Sequence, residues 1–264
     1  MGSATREALA SSRAALAAHG SSAYLATGES LFTAGRVVGN SSQLLAALAD
    51  PSAPEAAKIA LATGVFSSSV TPGALELLEA VASARWSSHD DLLAGIEDLG
   101  LRATAASAPD ASIEAELFAF GTAVSSDSEL ELALASKLGR ADAKAGLVDT
   151  LLAGKVSAQT LAIVRHLVQQ PRGRRINELL RHAASVVADQ AGTSIATVTS
   201  ANTLAPGQLD RLRKSLAGRY GRGLMINQVV DPTVVGGLRV QIGDDVIDGS
   251  IATRLKDLRL QLAG

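Results

Sequence analysis

A shift of 86 residues lays one half of the first two-thirds of this chain on the other. It puts Leu31 on Leu117, Phe32 on Phe118, Gly35 on Gly121, Val38 on Val124, Leu44 on Leu130 and Leu48 on Leu134. Without a gap it also pairs Ala57-Lys58 with Ala143-Lys144, Leu61 with Leu147, Val70 with Val156, Leu75 with Leu161 and Leu93 with Leu179. Alanine and leucine coincide easily in such a chain, so the Phe, Gly and Lys matches carry the weight. Self-similarity at a fixed period means that one supersecondary unit is built twice.

Each copy has the rhythm of amphipathic helices, with apolar residues returning every three or four positions. In the first copy the stripes are Leu44, Leu45 and Leu48; Ala57, Leu61 and Val65; Leu75, Leu78 and Ala82; and Leu92, Ile96 and Leu99. In the second they are Ile113, Leu117, Phe120 and Val124; Leu147 and Leu151; Leu161, Val164 and Val168; and Ile176, Leu179, Leu180 and Ala183. Breakers separate them at Asp50-Pro51, at the serines 67–69 before Pro72, at Ser87-Ser88, and at Pro171 and Gly173.

From Thr193 the period changes. Ile195-Ala196-Thr197-Val198-Thr199 alternates and is β-branched, which predicts a strand. Pro206 opens a helix striped by Leu209, Leu212, Leu216 and Tyr220 and closed by Gly221 and Gly223. A second strand spans Leu224 to Val230. Asp231-Pro232 then turns the chain, and Leu238-Val240-Ile242 pairs with Val246-Ile247 through Gly243-Asp244-Asp245. Ser250 is placed to cap a last helix carrying Ile251, Leu255, Leu258 and Leu262, with Gly249 supplying freedom at its entry. The expected fold class is α plus α/β. An all-helical bundle region of two repeated modules, residues 1–105 and 106–190, precedes a small C-terminal α/β domain with a mixed sheet, residues 191–264.

Composition narrows the chemistry. The chain has 264 residues, enough for more than one domain, and 47% of them are hydrophobic but only 3% aromatic, so Ala, Leu and Val must pack the cores. Lys and Arg number 24 against 26 Asp and Glu, a balance that argues against nucleic acid held by a general basic surface. The absence of cysteine excludes disulfides, thiolate metal sites and a Cys nucleophile. No apolar run reaches the roughly 18 residues of a membrane span. The N-terminus alternates charge at Arg6 and Glu7, unlike a leader, and Arg6 stands where a myristoylation motif wants Ser or Thr. These features predict a cytosolic protein, or one attached to a membrane through a partner.

Candidate sites resolve into structural ones. Gly218-Arg219-Tyr220-Gly221-Arg222-Gly223 could cradle an anion, but it ends a helix and precedes a strand, the reverse of a phosphate loop. Asp244, Asp245, Asp248 and Gly249 lack the glutamate of a calcium loop, so they are expected to serve turns. The basic cluster Arg172-Gly173-Arg174-Arg175 follows Pro171 and is expected in a solvated loop. His19, His89, His166 and His182 have no metal-ligand spacing. Trp86 and Phe118 are expected in cores. No catalytic, metal or cofactor residue is expected.

The stretch from Asp231 to Leu255 carries a specific pattern. Its Asp231-Pro232-x-x-x-Gly236-Gly237 core, the run Gly243-Asp244-Asp245-Val246-Ile247-Asp248-Gly249-Ser250, and Arg254-Leu255 closely resemble the C-terminal signature of the delta subunits of F-type ATP synthases, a family that includes the mitochondrial oligomycin-sensitivity-conferring protein. Ala115-Glu116-Leu117-Phe118-Ala119-Phe120-Gly121 is similar to that family's first helix, so residues 106–190 would be its N-terminal bundle and residues 1–105 an extra copy. The resemblance implies a non-catalytic stator subunit at the cytoplasmic face of the membrane. Its helical region would bind alpha subunits of the catalytic head and its C-terminal domain the membrane-anchored b subunits, with no nucleic acid and no insertion into the bilayer. Two other classes remain open on the residues alone: a helical-repeat adaptor for unrelated partner helices, and a nucleotide-using enzyme binding anions near Arg219 and Arg222.

Overall fold

The computed structural model describes residues 2–19, 24–136, 139–221, 223–234, 236–243 and 245–251. The chain divides into two compact units, Met1–Val187 and Ala188–Gly264.

The first unit is helical: α1 (Ser3–Ala18), α2 (Tyr24–Asn40), α3 (Ser42–Ala49), α4 (Glu55–Phe66), α5 (Pro72–Ser83), α6 (His89–Ala106), α7 (Ile113–Ser126), α8 (Ser128–Ala135), α9 (Ala141–Leu152), α10 (Ala158–Gln169) and α11 (Ile176–Gln190), the last running past the unit's end. Side-chain caps start many of them where the breakers fall. Ser41, Thr71, Ser88, Asp127 and Ser157 each accept a hydrogen bond from a first-turn amide. Pro72 lies in the first turn of α5, where its missing N–H costs nothing.

The 86-residue shift holds for the helices themselves. It carries α3 onto α8, α4 onto α9 and α5 onto α10 end to end. Tertiary ties repeat as well. The Thr71 amide donates to Ser30 Oγ at 3.3 Å, and the equivalent Ser157 amide donates to Glu116 at 3.1 Å. Thr63 donates to Glu79 in α4 and α5, and the equivalent pair in α9 and α10 is the ion pair Asp149–Arg165. The same shift lays α1 on α6 and α6 on α11, so α6 ends one copy and begins the next. It packs on α1, α2, α3 and α5 of the first copy and on α10 of the second. Thirteen of its eighteen residues are therefore buried, Glu97, Asp98 and Arg102 among them.

The expected stripes of α4 and α9 are turned by one position. Lys58, Ala62 and Phe66 are buried in α4, and Lys144, Ala145, Val148 and Leu152 in α9, whereas Ala57 and Val65 are exposed and Leu61, Leu147 and Leu151 only half-buried. In α4 the cause is the lysine, whose stem is apolar while its ammonium seeks a carbonyl. Lys58 Nζ donates to the Ala84 carbonyl at the end of α5, 3.1 Å away, so the lysine takes a core position that a polar count would send to solvent.

The second unit is a four-stranded sheet in the order β2-β1-β3-β4, built from β1 (Thr193–Ser200), β2 (Gly223–Val230), β3 (Leu238–Ile242) and β4 (Asp245–Asp248). β1 and β2 are parallel, joined through α12 (Pro206–Tyr220), and β3 and β4 add antiparallel, which makes the sheet mixed. Alternation puts Ala196, Val198, Val240 and Ile242 on one face with Leu216 of α12. The predicted last helix lies outside the described residues beyond Ile251, and Leu255, Leu258 and Leu262 with it.

Candidate functional site

Two groups of residues stand out from ordinary core and surface, one in each unit. The first is on α6. Asp98 accepts from Arg13 at 2.8 and 3.0 Å and from Arg102 at 2.8 Å, which ties α1 to α6. One residue earlier, the buried Glu97 carboxylate accepts from Arg172 and from Arg174 Nη2 at 2.8 and 2.9 Å. Burial would raise the Glu97 pKa, but the hydrogen bond and charge of Arg174 and the charge of Arg172 outweigh burial and hold the carboxyl far below the usual range. His166 Nε2 is 3.7 Å from Glu97, beyond hydrogen-bond reach, so the guanidiniums make the direct bonds. Burial keeps the His166 imidazole neutral at ordinary pH, against the pull of Glu97.

The structure thus corrects the expectation of a solvated basic loop for Arg172 and Arg174, while Gly173 and Arg175 are exposed as expected. Arg172 and Arg174 fold back onto a carboxylate 75 and 77 positions away, and Gly173 between them has φ 76°. His166 is a core residue, stacked on Phe32 with ring centroids 4.1 Å apart. His19 pairs with Glu76 at 3.0 Å, while His89 and His182 are exposed. Trp86 is buried and donates to the Val81 carbonyl, whereas Phe118 is only half-buried. Among the described residues no cluster of metal-ligating side chains occurs.

The second group is the C-terminal signature. The Asp231 amide donates to the Ser200 carbonyl, and its side chain accepts from the Thr233 amide and hydroxyl, so Asp231 and Pro232 form a tight turn at the end of β2. The Thr233 hydrogen bonds hold the Asp231 carboxyl below its ordinary range. Gly236 and Gly237 follow at φ 66° and 83°, the left-handed region that favours glycine. They meet the stretch after β4, where the Gly249 amide donates to the Leu238 carbonyl at 2.8 Å and the Ile251 amide to the Gly236 carbonyl at 3.2 Å. Gly243 turns the β3–β4 hairpin at φ 57°, and Asp248 accepts from the Ser250 amide. Gly249 differs from expectation. It is absent from the positive-φ glycines, and its constraint is the Leu238 carbonyl, 3.2 Å from where a Cβ would lie. Gly221 ends α12 in the left-handed conformation, as helix termination requires, and Arg222 lies outside the described residues.

The family model described as the ATP synthase delta (OSCP) subunit matches residues 101–262, from the end of α6 through the signature. The chain belongs to the ATP synthase delta (OSCP) subunit family. It is 58% identical to the ATP synthase subunit delta of Leifsonia xyli subsp. xyli over 265 residues, the whole length of both chains. The subunit delta of Kineococcus radiotolerans is 40% identical, covering 90% of this chain and 88% of the relative. That of Streptomyces griseus subsp. griseus is 36% identical over the full length of both. The first helical copy precedes most of the family-model match yet aligns in these full-length relatives, so it is part of their long form. As a delta/OSCP subunit the chain is a non-catalytic part of the peripheral stalk of a membrane-associated F-type ATP synthase. No helix among the described residues is long and apolar enough to cross a membrane.

Proposed function

We propose that the helical unit grips alpha subunits of the catalytic head and that the C-terminal unit holds the b subunits, at the cytoplasmic face of the membrane. Such a link keeps the head from turning with the rotor, so torque goes into ATP synthesis. The job needs stiffness and grip, and no reactive group. The observation that carries this reading is the family match joined to α6, whose burial welds two helical copies into one compact unit. Residues 1–105 and 106–190 are the two modules of that unit, and residues 191–264 form the stalk-holding domain. Grooves between amphipathic helices suit partner helices laid in by their apolar faces. Asp231, Pro232, Gly236, Gly237, Gly243, Asp248, Gly249, Ser250 and Leu255 act by shaping the C-terminal domain.

Deleting residues 193–264 tests the division of labour. Reconstituted enzyme carrying the deletion should hydrolyse ATP without pumping protons, while hydrolysis by the isolated head stays unchanged. Pumping coupled as in the parent enzyme would refute the assignment.

A further inference from the structure

The two helical copies share their helix register, yet the groove between α2 and α6 of the first copy is already filled. Its floor is Gly35 and Gly39 on α2 with Leu93 and Ile96 on α6. The Gln170 side chain, just past α10, lies in it and donates from Nε2 to the Gly35 carbonyl at 3.0 Å. A Cβ at Gly39 would overlap that amide. His166, one turn earlier, stacks on Phe32 of the same groove wall. Arg172 and Arg174 then close over it onto Glu97. Arg172 adopts φ 48°, and among the described residues it is the one non-glycine in that region, so the corner is bent to bring its guanidinium inward.

None of these residues follows the repeat. Their equivalents in the first copy are Ala80 for His166, Ala84 for Gln170, Trp86 for Arg172 and Ser88 for Arg174, and Glu97 is matched by Ala183. The groove wall does repeat, with Phe118 for Phe32 and Gly121 for Gly35. On the second copy, however, Phe118 and Gly121 are half-buried where Phe32 and Gly35 are buried, and Thr122 is exposed where Arg36 is half-buried; at the groove's end Ser125 and Gly39 are both exposed, so the contrast lies at Gly35.

We propose that the α10–α11 corner is a built-in latch, in which Gln170 and His166 fill the α2–α6 groove and the Glu97–Arg172–Arg174 cluster holds them there. The first copy is thereby closed to any partner helix at this groove, and the two copies move as one body. The consequence for partner number rests on the stalk reading, but the latch is a property of the chain alone and is tested without partners.

The chain has no cysteine, so a single introduced thiol reports access directly. Gly35→Cys and Gly121→Cys are the matched pair. A Cβ at Gly35 would stand 3.4 Å from Ile96 and 3.6 Å from Gln170, and one at Gly121 would be 3.6 Å from Leu180, so each side chain begins with normal contacts. DTNB should label the Gly35→Cys thiol at least ~10-fold more slowly than the Gly121→Cys thiol, because reaction waits for local opening. Adding Glu97→Gln should speed the first at least ~5-fold and leave the second unchanged, since one lost charge partner weakens the cluster but not the second copy's wall. Gln170→Ser serves the same purpose if circular dichroism shows Glu97→Gln to be unfolded. Equal labelling rates in the two parent thiols would overturn the latch. So would a protected Gly35→Cys thiol whose rate ignores both Glu97→Gln and Gln170→Ser, because the groove would then be closed by general packing.

Discussion

Three glycines of the C-terminal signature have positive φ but different surroundings, and replacing each by alanine should rank them. A left-handed non-glycine residue costs about 1–2 kcal/mol. Gly243 has φ 57° with nothing within 4 Å of a new Cβ, so Gly243→Ala should cost about 1 kcal/mol, the backbone term alone. Gly236, at φ 66°, would place its Cβ 2.7 Å from Ile251 Cδ1, the movable end of a side chain. Gly236→Ala should therefore cost about 1–2 kcal/mol, slightly more than Gly243→Ala. Gly237, at φ 83°, would drive a Cβ to 2.8 Å from Ser250 Cα and into the Gly249 carbonyl, both backbone. Neither can move without breaking the Gly249-to-Leu238 hydrogen bond, so Gly237→Ala should cost about 3 kcal/mol or more. Native-state hydrogen exchange of the amides in β1 and β3 reads these costs in the full chain. The fluorescence of Trp86, the chain's one tryptophan, reports the helical unit and should not move. Equal costs for Gly243→Ala and Gly237→Ala would refute the argument that backbone contact sets the order. Gly237→Val should be worse than Gly237→Ala, and a fully stable Gly237→Val that still uncouples the enzyme would make the run a contact surface instead.

Acid should weaken the helical unit in two steps. The folded His166 pKa lies below its ordinary 6.5, so the unfolded chain takes up that proton first and stability falls as pH drops below about 6.5, by at most ~1.4 kcal/mol per pH unit per proton. Glu97 is likewise depressed below 4.5, so its contribution is complete above that pH and is lost beneath it. Urea melts followed by Trp86 fluorescence should show both steps, and His166→Phe should flatten the first. An unchanged slope between pH 7 and 5 in His166→Phe would contradict the burial of a neutral imidazole. The two caps that open α5 and α10 should differ too. Thr71 accepts from the Ala74 amide at 3.3 Å, whereas Ser157 accepts from Thr160 and also donates to Glu116 at 2.6 Å. Ser157→Ala should thus cost about 1–2 kcal/mol and Thr71→Ala about 1 kcal/mol by thermal denaturation, and the reverse order would show that the Glu116 contact is not stabilising.

What the chain's order alone determined is local or periodic. Helix rhythm and breakers placed α3 to α7 and α9 to α11, alternation placed β1 and β3, and the repeat foretold that the two halves would match helix for helix. Those signals act within a few residues, or twice over at one spacing, so they are legible without knowing what packs on what. The Asp-Pro-x-x-x-Gly-Gly pattern was legible too, because left-handed turns admit few residues besides glycine. Tertiary structure decided the rest. Nothing in the spacing of His89–Ala106 says that one helix will serve two copies, so nothing in the sequence marks Glu97 and Asp98 as buried acids. Nothing near Arg172 and Arg174 names their partner, because Glu97 lies 75 and 77 positions away and reaches them only once α10 sits on α6. Lys58 became buried for a similar reason: whether an ammonium can enter a core depends on a carbonyl waiting there, and a waiting carbonyl is a property of the folded arrangement and not of the local sequence.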